Sequence, residues 1–216
     1  MKVLSKTVGA FQENAYLVID EATNEAVFID PGAEPDALIA LVRKSGAELR
    51  AIWLTHAHLD HVGGIVGLRR VWNVPVHLHA ADLPVLERAP VSAAMYGIPF
   101  EAPTAPDVLV EDGEQLTVGT LAFDVIHTPG HAPGHVVFRH ATTAFGGDLL
   151  FAGSIGRTDL PYADPAAMER SLERIAQLDD TTVVHPGHGP ATTIGHEKAS
   201  NPFLTGLAKP VKRVTA

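Results

Sequence analysis

Apolar positions early in the chain come in short extended runs separated by turn residues: KVLSKTV (2–8), AYLVID (15–20) and AVFID (26–30), the last closed by PGAEPD. The β-branched and aromatic content with Asp-Pro-Gly punctuation reads as a strand meander. The period then lengthens. In PDALIALVRKSG (35–46), Ala37, Leu38, Leu41 and Val42 recur at helical spacing and Gly46 provides a stop. AIWLT (51–55) reads as a buried strand, VGGIVGLRRVW (62–72) as a helix and PVHLHA (75–80) as the next strand.

Residues 90–107, PVSAAMYGIPFEAPTAPD, are rich in Pro and Ala and show no clear period, so we read a long loop over one edge. In it Met95, Tyr96 and Phe100 offer either an apolar wall to a pocket or ordinary edge cover. Strands resume in EQLTVG (114–119), LAFDVIHT (121–128), HVVFRH (135–140) and TAFGGDLLF (143–151). A second helix, DPAAMERSLERIAQL (164–178), opens on the Asp-Pro pair expected of an N-cap and first turn, and TTVVHPGHG (181–189) is the last strand. Strands followed by a helix thus occur twice, which suggests two sheets sandwiched between helices, with no sequence repeat between the halves. At 216 residues we expect a single domain, 1–216.

Composition narrows the function. Hydrophobic residues are 46% and charged residues 19%, and no apolar run reaches the roughly 18 residues of a membrane span, so a soluble protein without a membrane partner is expected. The start, MKVLSKTVGA, lacks the apolar segment of a secretory signal, and cytoplasmic residence is the expectation. Lys plus Arg number 16 against 25 Asp plus Glu, a formal charge of -9, which argues against a nucleic-acid partner. The one basic cluster, AKPVKR (208–213), reads as a solvated terminus. With no cysteine, thiolate catalysis and zinc–thiolate sites are excluded, so any metal must be held by His, Asp or Glu.

The chemistry concentrates in THAHLDHVGG (55–64), straight after an apolar strand. Four such side chains, His56, His58, Asp60 and His61, are costly to bury unless something cationic satisfies them. On an extended segment His56 and His58 leave the same face and can chelate one ion. Asp60 and His61 are adjacent and diverge unless the chain turns, which Gly63 and Gly64 permit, and this favours two neighbouring metal positions. His131, Asp148 and His188 share the same context, a polar residue at the end of an apolar strand, and Asp148 has the two oxygens a bridging ligand needs. Asp60 is also the candidate catalytic residue. His77, His79, His140 and His196 read as structural or surface residues, and His127 and His135 as structural or as supports for a ligand.

THAHLDHVGG resembles the H-x-H-x-D-H signature of the metallo-β-lactamase fold superfamily, and TPGH, GGDLLF and HPGHG follow in that superfamily's order through nearly the whole chain. FAGSIGRTDLP and HPGHGPATTIGHEKASNPFL look like the short glyoxalase II-type hydrolases, relatives of hydroxyacylglutathione hydrolase. The resemblance implies an α+β fold, an αββα sandwich of two mixed sheets flanked by helices. It implies His56, His58 and His131 on a first metal, Asp60, His61 and His188 on a second, and Asp148 between them.

Two divalent ions are expected, zinc first with iron or manganese as alternatives, because N and O ligands alone do not choose among them. Such a pair lowers the pKa of a bridging water and polarises a carbonyl. The glyoxalase II likeness implies a small-molecule thioester substrate, S-lactoylglutathione or similar. Arg157, in GSIGRTDL, is a candidate substrate-binding residue for a carboxylate, with a salt bridge to Asp159 or Asp164 as the structural alternative. Pro190 stands where the longer glyoxalase II enzymes carry a tyrosine, and only 28 residues follow His188. Rival readings are a mononuclear iron persulfide dioxygenase using His56, His131 and Asp148, and hydrolysis of another ester, a lactone or a β-lactam.

Overall fold

Strand pleating sorts neighbouring side chains onto opposite faces, and in strand 13–19 the two faces go to different cores. Ala15, Leu17 and Ile19 pack with one apolar cluster, Tyr16 and Val18 with another. A strand buried on both sides must lie between two layers, so this one sits between a helical layer and a second sheet.

A computed structural model describes residues 1–212. Its first sheet has the order β1 (Lys2–Val8), β2 (Glu13–Ile19), β3 (Glu25–Ile29), β4 (Glu48–Trp53), β5 (Val76–His79), β6 (Val108–Val110). The first three strands pair antiparallel and β3 to β6 parallel. The second sheet runs, from its other edge, through β7 (Gln115–Val118), β8 (Leu121–His127), β9 (Val136–His140), β10 (Thr143–Gly147), then β13 (Val183–Pro186) and β14 (Thr192–Thr193). A short hairpin, β11 (Leu150–Phe151) with β12 (Ser154–Ile155), stands apart.

Helices α1 (Pro35–Ser45), α2 (Leu59–Val62), α3 (Ile65–Arg69) and α4 (Leu83–Tyr96) belong to the first half, α5 (Pro165–Ile175) and α6 (Ile194–Ser200) to the second. Leu38 and Val42 of α1, Ile65 and Leu68 of α3, and Leu86 and Ala93 of α4 cover the first sheet. Met168, Leu172 and Ile175 of α5 cover Val137, Ala144 and Val184 of the second. Between the sheets Trp53 is wedged by Phe123 and Phe138, with ring centroids 5.3 and 5.4 Å away. The order of layers is αββα, as the resemblance implied. No helix among the described residues is long and apolar enough to cross a membrane.

Several expectations need correction. The loop expected over 90–107 is helical as far as Tyr96, in α4. Pro84 fits its first turn, whereas Pro90 lies inside the helix and masks its period. Burial of Val85, Leu86, Ala89 and Ala93 holds the helix in spite of Pro90. The helix expected over 62–72 is instead the short pair α2 and α3. TAFGGDLLF is broken into β10 and β11, because Gly147 takes a left-handed φ of 45° and turns the chain out of the sheet at Asp148. The short elements β6 and α6 carried no readable pattern. The tail is largely exposed, with Val211 64% accessible, and is joined to the body where Thr158 Oγ1 donates to the Val211 carbonyl at 2.8 Å; Arg213 lies outside the described residues.

Candidate metal centre and its cavity

Strand polarity decides where the polar residues go. β3 and β4 run parallel in one sheet; β8, β10 and β13 share a direction in the other. Asp30, Thr55 and His56 follow the carboxyl ends of the first pair, and His131, Asp148 and His188 follow those of the second group. The two edges are tied together, since Val136 N donates to the Thr55 carbonyl at 2.8 Å and Asn14 N to the Gly187 carbonyl at 2.7 Å. All seven residues singled out as ligands therefore meet at one rim.

Within THAHLDHVGG the turn begins earlier than Gly63. His58 is extended (φ −65°, ψ 152°) and caps α2, whose first turn carries Asp60 and His61. The turn fits only against bare backbone. A methyl group on Gly32 would collide with the Asp60 carbonyl, and one on Gly63 would come within 2.5 Å of the Gly32 carbonyl.

Hydrogen bonds then fix which ring nitrogens remain free. Thr55 Oγ1 donates to Asp30 Oδ2 at 2.6 Å, so it accepts from His56 Nδ1 at 3.0 Å. Asp30 also accepts from Thr55 N at 2.7 Å and faces His61 Nδ1 at 3.0 Å. His131 Nδ1 donates to the Arg157 carbonyl at 2.8 Å. For His56 and His61 the other nitrogen, Nε2, is left without a hydrogen-bond partner, while His131 Nε2 lies 2.8 Å from His58 Nδ1. His135 supports the site indirectly: its Nε2 accepts from Asp148 N at 3.0 Å while Nδ1 meets Thr128 Oγ1 at 2.9 Å.

Two sets result. His56, His58 and His131 present ligand atoms all within 4.8 Å of one another, and so do Asp60, His61 and His188. Asp148 lies between them: Oδ1 is 3.5 Å from His61 Nε2, and Oδ2 is 3.4 Å from His131 Nε2 and 3.5 Å from His188 Nε2. Asp30, His56 and His61 also converge. Asp30 is already engaged by Thr55 and His61, so we place it behind the histidines.

His56 Nε2, His61 Nε2 and Asp148 Oδ1 are buried without a hydrogen-bond partner, the condition that cations bound by these sets would relieve. Burial, reinforced by His61 and its other histidine neighbours, holds His56 well below the usual imidazole range. Burial and His131 bring His58 down to about 3. Burial would raise Asp148, yet His61, His188 and His131 hold it well below the carboxylate range. His188 is pushed up to about 10, because Asp148 and Asp60 outweigh burial. His61 is likewise held well above the imidazole range, because Asp148 and Asp30 outweigh burial. The first set thus offers neutral imidazoles, whereas the second sets protonated ones against ionised carboxylates, protons that a hard or borderline divalent ion would displace on binding.

The family model described as the metallo-beta-lactamase superfamily matches residues 8–188. The chain belongs to the metallo-beta-lactamase superfamily. Within that superfamily, the Haemophilus influenzae protein named hydroxyacylglutathione hydrolase GloC is 39% identical over 202 residues, 91% of this chain and 95% of the relative. The crystal structure of TTHA1623 in a di-iron-bound form is 48% identical, with a TM-score of 0.88 over 94% of this chain and 100% of that one. BLEG-1, named a B3 metallo-beta-lactamase, is 40% identical, with a TM-score of 0.89 over 95% of this chain and 100% of that one.

Above the two sets opens a cavity of about 780 Å³. Its floor is His58, Asp60, His131, Asp148 and His188, and its walls are largely apolar. Arg157 is in the wall, but its guanidinium is spent on Asp159, with Nε to Oδ1 and Nη2 to Oδ2 both 2.9 Å. The salt bridge weighed as the structural alternative is thus the contact present. His127 is turned away, stacked on His79 at 4.2 Å with Nε2 donating to the Pro133 carbonyl at 2.9 Å.

Asp30, Thr55, Asp82 and Glu13 were not anticipated. Asp82 is fully buried and accepts from Ala57 N at 2.7 Å and Gly134 N at 2.5 Å, fixing the residue between His56 and His58. Glu13 is fully buried 4.0 Å from His61 Nδ1, with neither carboxylate oxygen partnered, and burial pushes its carboxyl well up. A polar residue closing an apolar strand was a readable signal for Asp30. Nothing comparable marks Glu13 or Asp82.

Proposed function

We propose that the protein is a metal-dependent hydrolase of small-molecule thioesters, S-lactoylglutathione or a similar S-acyl thiol. The observation that carries this reading is the cavity itself: a largely apolar chamber whose floor is made of candidate metal ligands. The 39% identity to a protein named hydroxyacylglutathione hydrolase supports the thioester over other acyl bonds.

Divalent ions, zinc first and iron or manganese next, would be held by His56, His58 and His131 and by Asp60, His61 and His188 with Asp148 between them, and would supply Lewis acidity that brings water ionisation near neutral pH and polarises a carbonyl. The chain's own groups do the rest. Asp30, Thr55 and the Arg157 carbonyl orient the histidine rings. Asp60 and Asp148 place negative charge where a proton would be drawn from an attacking water. Leu59, Phe151 and Leu160 keep bulk water from the acyl group. A thiolate departs without a strong general acid.

The decisive experiment couples metal analysis to a panel of S-lactoylglutathione, a neutral thioester and a β-lactam. Thioester hydrolysis scaling with bound metal supports the reading. A metal-loaded protein that cleaves no thioester overturns it. Preferential β-lactam cleavage would favour the second reading, which rests on the 40% identity to a protein named a B3 metallo-beta-lactamase.

A further inference from the structure

Two cations stand in the cavity wall on segments from which none was expected. The face of α4 turned to the cavity carries Val85, Arg88, Ala89, Ser92, Met95 and Tyr96, a run at helical spacing. The tail, drawn back by the Thr158–Val211 hydrogen bond, adds Lys212 to the same wall. Outside the candidate ligands, the charged residues lining the cavity are Arg88, Arg157, Asp159 and Lys212. Arg157 and Asp159 neutralise one another. Arg88 and Lys212 make no hydrogen bond or ion pair among the described residues, which leaves two uncompensated positive charges at the mouth of the cavity.

That balance runs against the rest of the molecule, whose formal charge is -9. Positive charge at the cavity of an acidic chain attracts anions to it. With Arg157 held by Asp159, the guanidinium free to take a carboxylate or phosphate in a two-pronged contact is that of Arg88.

We propose that Arg88, assisted by Lys212, is an anion subsite that selects substrates whose thiol half carries carboxylates or phosphates. The proposal rests on the thioesterase reading for its kinetic test but not for its binding test. With the acyl carbonyl at the His58–Asp60–Asp148 floor, a thiol half laid along α4, past Ala89 and Ser92, brings its charge to Arg88.

The test uses the full chain loaded with metal, as wild type, Arg88→Ala, Arg88→Lys and Lys212→Ala. KM is measured for S-lactoylglutathione, for acetyl coenzyme A and for the neutral S-phenyl thioacetate. Arg88→Ala should raise KM for the anionic thioesters about tenfold relative to the neutral one, with Arg88→Lys between. The arm that responds, carboxylate or phosphate, identifies the anion. Equal changes for charged and neutral thioesters, or no change, overturn the subsite. Binding of S-methylglutathione, followed by calorimetry, separates the two ideas. Binding weakened by Arg88→Ala in a protein that cleaves no thioester keeps the subsite and discards the thioesterase. Binding that is absent, or indifferent to Arg88, removes the subsite whatever the activity.

Discussion

Thr55 stands between Asp30 and His56, giving its hydroxyl proton to Asp30 Oδ2 across 2.6 Å and meeting His56 Nδ1 at 3.0 Å. Because Asp30 also faces His61 Nδ1 at 3.0 Å, one buried carboxylate orients a histidine from each candidate metal set. Asp30→Ala should therefore weaken both positions together, lowering metal affinity about 10- to 100-fold. Competition with a chromophoric chelator measures this. A loss confined to one ion would contradict the shared role.

The two sets predict separable metal losses. His56→Ala should empty the first position and abolish turnover, and Asp60→Ala should empty the second preferentially. Elemental analysis of the purified variants reads the stoichiometry. Two ions per chain in Asp60→Ala would refute the assignment of that residue to the second position.

Metal removal should cost stability as well as activity, since His56 Nε2, His61 Nε2 and Asp148 Oδ1 are buried without partners. Binding that occurs only in the folded chain adds to the folding free energy. Dialysis against a chelator should lower the melting temperature by about 10 °C, and restoring zinc should return it. An unchanged melting curve after verified metal loss would show that these atoms are not what an ion satisfies.

Asp82 gives a pH dependence of defined sign. Burial pushes its carboxyl up to about 6 from the ordinary 3.8, only partly opposed by the N–H groups of Gly134 and Ala57. The folded chain holds this proton more tightly than the unfolded chain does. Its stabilising contribution is complete below about pH 3.8 and is lost as pH rises through about 6. In metal-free protein, the stability of wild type minus that of Asp82→Asn should fall over this interval and level off above it, as read by denaturant unfolding at each pH. A difference independent of pH would show that Asp82 does not titrate there. Asp82→Ala, which leaves the Ala57 and Gly134 N–H groups unpaired, should destabilise by about 2–4 kcal/mol.

The sequence by itself determined the kind of site and the kind of fold. The spacing of His56, His58, Asp60 and His61 and the strand-end placement of His131, Asp148 and His188 are local properties. A two-residue period shows which strand faces are buried, and a polar residue ending an apolar strand marks the rim of a sheet. The layer order was legible through the resemblance for the same reason, since alternating runs such as AYLVID, followed by helical ones, need cover on both faces. What tertiary structure decided depends on residues distant in sequence. Asp148 is placed between the two sets because β10 pairs with β13 and Gly147 turns the chain at their common edge. Arg157, foreseen as a substrate contact, lines the cavity with its guanidinium held by Asp159. Helix α4 was hidden by Pro90 and by a periodicity carried partly by small alanines, and only burial against the first sheet makes it helical. Its register then brings Arg88 to the cavity. Local pattern sets which residues can hold a cation, whereas packing between the halves sets which charges remain free to meet a substrate.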